Sequence, residues 1–217
     1  WRWVGGLQTV GKTYLARASN IKTYTEGRFS PDPASLAPDA SPLPSHKPSP
    51  APGLIQPGQR PDPALPSVLL LHEEDLHAES WGLEAADLRA VIYPASPVAR
   101  GNEALGEASA RFTRAALDDG AGRAAERWGV KAVACDSADE VLMATRACGA
   151  RQLIAQRPQQ GPVRDRFVEL ADSCDAAGLP LVSLSRDWDQ AFHPYATKGF
   201  FKFKGAIETV FNQLGLR

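Results

Sequence analysis

From Ser67 onward, short apolar runs alternate with stretches of helical length, and this alternation limits the fold more than any other feature of the chain. Strands separated by helices of this length favour right-handed crossovers and a parallel sheet covered on both faces. We therefore predict a doubly wound α/β domain with a parallel sheet of about five strands. The predicted strands are 67–72, 89–95, 131–136, 151–158 and 180–185.

Four helices are predicted between and after these strands. Asp136 or Ser137 is placed to cap the second helix, while Pro162 suits the start of the third and Gly178 its end. The helices are expected to begin near Glu103, Ser137, Pro162 and Lys204 and to end at Trp128, Ala147, Ala177 and Leu214. The expected buried face of the first helix contains Leu105, Phe112, Ala116 and Leu117.

Ligands of doubly wound sheets bind outside the carboxyl ends of the strands, near the point where the strand order reverses. The cluster HEED, residues 72–75, is interpreted either as a metal site or as a solvated loop, and His193 as a packed histidine. No G-x-G-x-x-G turn follows the strands, so a dinucleotide fingerprint is missing. The candidate residues at this edge are His72, Glu73, Glu74, Asp75, Pro94, Ser96, Asp136, Ser137, Arg157, Ser185 and Arg186.

The chain divides into three predicted parts: an aromatic and basic piece at 1–30, a linker at 31–66, and the α/β domain at 67–217. Twelve of the eighteen prolines lie in 31–66, where apolar side chains are few, so this part is predicted to be extended or disordered. The chain begins at Trp1 within what reads as structured sequence, and it is interpreted as a piece of a longer protein.

Composition excludes several classes of protein. The net charge of −1 argues against binding of polyanions by the whole chain. The three cysteines lack C-x-x-C spacing and suit a reduced, cytoplasmic protein without a zinc site. No apolar run approaches the roughly 20 residues that span a bilayer, and no signal peptide is recognised.

The stretch GLQTVGKT, residues 6–13, matches the phosphate-loop pattern G-x-x-x-x-G-K-[ST] at every fixed position. A phosphate loop also requires a buried strand before the motif and a helix that begins at the Lys-Thr pair. WRWVG is a poor central strand, and no long helix follows before the prolines begin. The motif is therefore interpreted as a connecting loop, with a nucleotide hydrolase as an alternative.

Residues 1–29, WRWVGGLQTVGKTYLARASNIKTYTEGRF, resemble the end of the flavin-binding helical domain of the DNA photolyase/cryptochrome family. The resemblance rests on W-x-W followed by glycine, then on a tyrosine and an Asn-containing turn, here Tyr14 and Asn20. The G-K loop and the SNI-x-x-Y-T-x-G-R-F ending resemble a bacterial, photolyase-like branch. The first part of the chain is accordingly expected to be a short helical remnant of an all-α FAD-binding domain.

The α/β domain is similar to the antenna domain of the same family. The similar stretches are DSADEVLMATRACGARQLIAQRPQQGPVRDRFVELADSCDAAGLPLVSL and SVLLLHEEDLH. Asp75, Leu76 and His77 keep part of the family's first-strand turn, but Glu73 and Glu74 replace its arginines, which puts binding of an antenna chromophore in doubt. In the family the antenna domain normally precedes the flavin domain, whereas here it follows.

The resemblance implies light-driven electron transfer from reduced FAD that splits pyrimidine dimers in DNA, a lyase reaction of DNA repair. It assigns catalytic roles to Trp1, in the electron-transfer chain, and to Trp3, which stacks on the dimer. It assigns FAD contacts to Trp1 and Asn20, and DNA contacts to Lys12 and Arg17. Because the family places its other flavin contacts before the W-x-W, the 217-residue chain alone is expected to bind no FAD.

Three alternatives remain open at this point. A cryptochrome-type light sensor would share the flavin and the tryptophans but would not repair DNA. The α/β domain could instead be a protein-binding or small-ligand platform. The third alternative is the nucleotide hydrolase.

Overall fold

The computed structural model describes residues 12–43, 58–99, 104–159, 161–196 and 200–216. The chain divides into two compact units, Trp1–Gly53 (unit 1) and Leu54–Arg217 (unit 2). Helix α1, Ala18–Tyr24, and a 3-10 helix at Pro33–Ser35 belong to unit 1. The described residues of unit 1 include no buried side chain.

Unit 2 contains a five-stranded, all-parallel sheet in the order β3-β2-β1-β4-β5. The strand order therefore reverses between β1 and β4, and the predicted α/β fold is confirmed. The strands are β1 (Ser67–Leu70), β2 (Leu88–Pro94), β3 (Lys131–Cys135), β4 (Gln152–Gln156) and β5 (Leu181–Leu184). Unit 2 also contains helices α2 (Glu107–Trp128), α3 (Ala138–Ala147), α4 (Pro162–Ala176), α5 (Asp187–Phe192), α6 (Phe200–Lys204) and α7 (Ile207–Gln213).

The sheet is buried on both faces because alternate side chains of its central strands point to opposite sides. Val68 and Leu70 of β1 belong to one apolar cluster, which includes residues of α3 and α4. Leu69 belongs to a second cluster, which includes residues of α2 and the segment between β1 and β2. Helices on both faces of a parallel sheet are the arrangement that the alternating sequence predicts.

Helix ends follow the predicted local chemistry. The Ser137 hydroxyl accepts a hydrogen bond from the Glu140 amide at 3.2 Å, so Ser137, and not Asp136, is the side-chain cap of α3. Gly178, which directly follows the C-cap of α4, has a φ of 65°, a conformation that glycine adopts without steric cost. The final predicted helix is found as α7, preceded by the separate short helix α6.

The predicted buried face of α2 is partly wrong. Leu117 is fully buried, but Phe112 is 75% exposed. The buried face includes the small residues Gly120, Ala121 and Ala124. At Gly120 an added Cβ would lie only 3.1 Å from the Leu76 Cβ, so small side chains allow a close approach that a phenylalanine face would prevent.

The predicted linker is divided between the two units, and its last part is attached to the sheet. The Gln59 amide donates to the Ser183 carbonyl at 2.9 Å, and the Gln59 side chain accepts from the Ser183 amide at 2.7 Å. Residue 59 thereby occupies part of the outer edge of β5, which would otherwise present unpaired backbone groups. Gly58 permits this approach, because a Cβ there would lie 2.6 Å from the Ser185 nitrogen.

Among the described helices, none combines the length and the apolar composition needed to cross a bilayer.

Candidate functional site

The HEED turn, residues 72–75, makes four contacts with other parts of the carboxyl edge of the sheet. His72 Nε2 lies 2.8 Å from the carbonyl oxygen of Gln156, at the end of β4. The Glu73 carboxylate accepts from the Val98 amide at 3.0 Å, and the Glu74 carboxylate accepts from the Gln159 amide at 3.1 Å. Asp75 pairs with Arg186, which follows β5. The turn therefore holds together the loops after β2, β4 and β5.

The Asp75–Arg186 pair joins the HEED turn to the residues after β5. Two guanidinium nitrogens approach the two carboxylate oxygens at 2.5 and 2.7 Å, the bidentate geometry that arginine favours. The Asp75 side chain is 9% exposed and that of Arg186 is 34% exposed. The Trp81 indole nitrogen also donates to Asp75 Oδ1 at 3.3 Å, which orients the ring beside the pair.

His72 is a structural histidine in this geometry. Its Nδ1 accepts from the Glu74 amide at 3.3 Å, so Nε2 carries the proton and donates to Gln156. Burial lowers the pKa of His72, and it outweighs the opposing effects of the Gln156 carbonyl and of Asp75, Glu74 and Glu73. A neutral ring with both nitrogens engaged neither binds a metal nor serves as a proton donor without breaking these contacts.

The solvated-loop interpretation of the HEED turn holds for Glu74, which is exposed, whereas Glu73 and Asp75 are half-buried. No group of three or more metal-binding side chains is found within the described ranges. The His72 ring is buried, and each carboxylate accepts a hydrogen bond from another part of the edge. The sequence could not show this role, because it depends on which strand ends lie side by side.

The buried His72 leads to a pH prediction. Because folding lowers the pKa of His72 from its ordinary value of about 6.5, the unfolded chain binds more protons than the folded protein below about pH 6.5. The free energy of unfolding therefore falls as the pH drops through that value. We expect the free energy of unfolding, measured in urea, to fall more between about pH 7 and pH 5.5 in the wild-type protein than in the variant His72→Gln. The exposed-histidine variant His77→Gln should follow the wild type, and equal losses in wild type and His72→Gln would contradict this role.

An apolar cavity of about 420 Å³ lies at the carboxyl ends of β1, β2 and β3, between α3 and α4. Its volume is within the range of small-molecule sites, which combine apolar walls with a few polar groups. Its apolar lining includes Leu70, Val98, Cys135, Val141, Phe167 and Leu170. Its polar lining is His72, Glu73, Asp136, Ser137, Arg166 and Glu169.

The polar groups of the apolar cavity are positioned by neighbouring backbone. Asp136 accepts from the Ser96 amide at 2.7 Å and from the Ser96 hydroxyl at 3.2 Å, which joins the loops after β2 and β3. Burial, assisted by Glu140 and Asp136, raises the pKa of the Cys135 thiol, so this thiol stays protonated at neutral pH. The cavity thus offers a binding surface and no activated nucleophile among these groups.

A second cavity, the Trp81 groove, has a volume of about 830 Å³ and lies between residues 58–63, residues 80–86 and the carboxyl ends of β4 and β5. Only a short 3-10 helix, Ala78–Ser80, occurs between β1 and β2. Gln156 and Arg186 line the Trp81 groove, whereas His72 and Glu73 line the apolar cavity. The HEED turn therefore contacts residues of both cavities.

Several of the other edge residues have structural partners. The Arg157 Nε lies 3.4 Å from the Ser183 hydroxyl, and burial together with Arg164 lowers the pKa of Arg157. The Ser185 carbonyl accepts from Gln190 at 3.1 Å. Pro94 lines the apolar cavity. His193 is half-buried and begins a short 3-10 helix.

The residues that the resemblance assigns to flavin and DNA belong to unit 1. Trp1 and Trp3 lie outside the described residues. Lys12 is exposed over the Tyr14 ring at 5.3 Å, Arg17 is exposed directly before α1, and Asn20 is exposed within α1. These surface positions are accessible to a polyanion, but no enclosed flavin cavity is formed by the described residues of unit 1, since none of them is buried.

The end of GLQTVGKT does not have phosphate-loop geometry. Helix α1 begins at Ala18, not at Lys12 or Thr13, and the Thr13 hydroxyl donates to the Ala40 carbonyl at 3.1 Å. The helix N-terminus that would bind phosphate is therefore not at the Lys-Thr pair. The first six residues of the motif, Gly6 to Gly11, lie outside the described residues.

Three lining residues, Gln156, Arg166 and Trp81, are absent from the candidate residues predicted for this edge. The available signal for Gln156 was a glutamine that directly follows the buried apolar run 153–155. No protein-family model, curated protein or solved structure matches this chain.

Proposed function

We propose that this chain is part of a cytoplasmic, flavin-dependent photolyase-like protein that splits pyrimidine dimers in DNA. The observation that carries the proposal is the combination of the W-x-W and SNI-x-x-Y-T-x-G-R-F motifs with an α/β unit in the same chain. Either feature alone fits many proteins. Together they resemble the two domains of one family.

Within this proposal, unit 2 is a small-ligand platform. The apolar cavity provides space for a small molecule at the carboxyl edge, where doubly wound sheets bind ligands. Glu73, which replaces an arginine of the family's turn, lines that cavity and hydrogen-bonds to the Val98 amide. A ligand there would therefore meet a carboxylate where the family has a cation.

The described residues of unit 1 do not form a flavin site, so the flavin chemistry of the proposal rests on the resemblance alone. When bound, reduced FAD supplies the electron that splits the dimer. The roles assigned to this chain are electron transfer at Trp1 and contact with the dimer and the DNA. Trp3 would stack on the dimer, and the exposed Lys12 and Arg17 would contact phosphates.

A repair assay on protein expressed from the complete gene tests this proposal. Under blue light with a reductant, the wild type should restore thymine dimers in an oligonucleotide to thymines. We expect Trp3→Ala to weaken dimer affinity about tenfold, because base stacking on an aromatic ring contributes about 1–3 kcal/mol. The variant Trp188→Ala, an exposed tryptophan of α5, serves as the matched control and should bind like the wild type.

Two results would contradict the proposal. A protein that binds flavin but repairs no dimer would be a light sensor, and unchanged dimer affinity in Trp3→Ala would remove the role given to that residue.

A further inference from the structure

Gln156, at the end of β4, has a buried and unsatisfied hydrogen-bond acceptor. Gln156 is 4% exposed, and its side-chain Oε1 has no hydrogen-bond partner within the described part of the protein. Gln152, at the other end of the same strand, uses its whole amide: it donates to Asp62, Leu65 and Ser67 and accepts from the Asp62 amide. A buried acceptor without a donor destabilises a protein, so its presence requires an explanation.

The position of Gln156 suggests what the missing donor is. Gln156 lines the Trp81 groove, as do the apolar side chains of Leu83, Leu184 and Pro61. The Trp81 ring is held beside them by its hydrogen bond to Asp75. An aromatic side chain, a few apolar neighbours and a buried carbonyl oxygen suit a planar ring that carries an N–H group.

Arg60 is the charged side chain of the Trp81 groove that can bind an anion. Arg60 is exposed and has no salt-bridge partner among the described residues, whereas Arg186 is already paired with Asp75. Asp187 is the acidic residue of the lining, and Arg60 is the guanidinium of the lining that Asp75 does not neutralise. Arg60 is thus the guanidinium available to a phosphate, with which arginine forms strong charge-assisted hydrogen bonds.

We propose that the Trp81 groove binds a nucleoside monophosphate, with the N–H of its base donating to Gln156 and its phosphate next to Arg60. The groove volume of about 830 Å³ can hold such a ligand. This site is separate from the apolar cavity and does not depend on the flavin or on DNA repair. It gives the α/β unit a nucleotide-binding function without a glycine-rich loop.

Calorimetric titration of the 217-residue chain with AMP, GMP, UMP and CMP tests the proposal. At least one of them should bind with a dissociation constant below 1 mM, and ribose 5-phosphate and the free nucleoside should each bind at least about tenfold more weakly than that nucleotide, since each lacks one contact. Binding of none of the four nucleotides, or equal binding of ribose 5-phosphate, would overturn the proposal.

Two variants identify the site. Gln156→Met and Arg60→Ala should each weaken the binding of that nucleotide about tenfold or more. Arg111→Ala, on the exposed face of α2, is the control and should bind like the wild type. Because Gln156→Met also removes an unsatisfied acceptor, the thermal unfolding temperature of this variant should not fall below that of the wild type. This measurement distinguishes a loss of binding from a loss of the fold. Wild-type affinity in both Gln156→Met and Arg60→Ala would overturn the assignment.

Discussion

Replacing Asp75 with alanine is expected to lower the free energy of unfolding of unit 2 by about 2–3 kcal/mol. The substitution removes a carboxylate that is 9% exposed and leaves the Arg186 guanidinium without its partner. Removal of one member of a fully buried pair costs about 3–5 kcal/mol, and the 34% exposure of Arg186 reduces this cost because water can solvate the freed cation. Trp81 also loses the acceptor of its indole N–H.

The control for Asp75→Ala is Asp87→Ala. Asp87 pairs with Arg89 at 2.6 Å, but both side chains are about half exposed, 47% and 48%. Exposed pairs of this kind contribute about 0–1 kcal/mol. Urea unfolding of the two variants, followed by circular dichroism, should therefore separate them clearly. Equal losses of stability would show that the HEED turn is not the connecting element described above.

The second large effect is expected at Gln152. Gln152→Met should lower the free energy of unfolding by about 2 kcal/mol, because it leaves the Asp62 and Ser67 groups without their partners at a position that is 1% exposed. It should also release residues 62–66 from the start of β4. Hydrogen exchange of the amide of Asp62, which donates to Gln152 at 3.2 Å, should become faster.

The same substitution at Gln156 is the matched control for Gln152→Met. Both glutamines lie in β4 and are almost fully buried, but Oε1 of Gln156 has no hydrogen-bond partner within the described residues. Gln156→Met should therefore leave stability unchanged or raise it. Equal destabilisation of both variants would show that the difference in hydrogen bonding between these two residues does not determine how much each contributes to the free energy of unfolding.

Local sequence predicted the five strands and helices α2, α3, α4 and α7 of unit 2, because each depends on its own residues, but it did not predict α5 or the separate helix α6. The apolar runs of β1 and β4 fit buried strands, and the serine before α3 fits an N-cap. The bounds differ by a few residues where apolar runs continue beyond the strand. Phe112 was assigned to the wrong face because helical spacing does not reveal that small residues, and not a large ring, pack on the β1–β2 segment.

The site was harder to predict because it depends on strand order. Asp75 and Arg186 are far apart in sequence and meet because β1, β4 and β5 are neighbours in the sheet. The role of residues 58–66 depends on the same neighbours, since Gln59 pairs with β5 and Asp62 with β4. A proline-rich composition predicted an extended segment, but it carried no information about these partners.

The absorption spectrum of protein expressed from the complete gene, recorded before and after blue light with a reductant, tests the central claim most directly. A flavin-dependent photolyase-like protein should show visible flavin bands that bleach on illumination, and Trp1→Phe should slow the bleaching because it interrupts the electron-transfer chain. A protein without flavin bands would contradict the account of residues 1–30, and unit 2 would then stand as a ligand-binding α/β domain of another kind of protein.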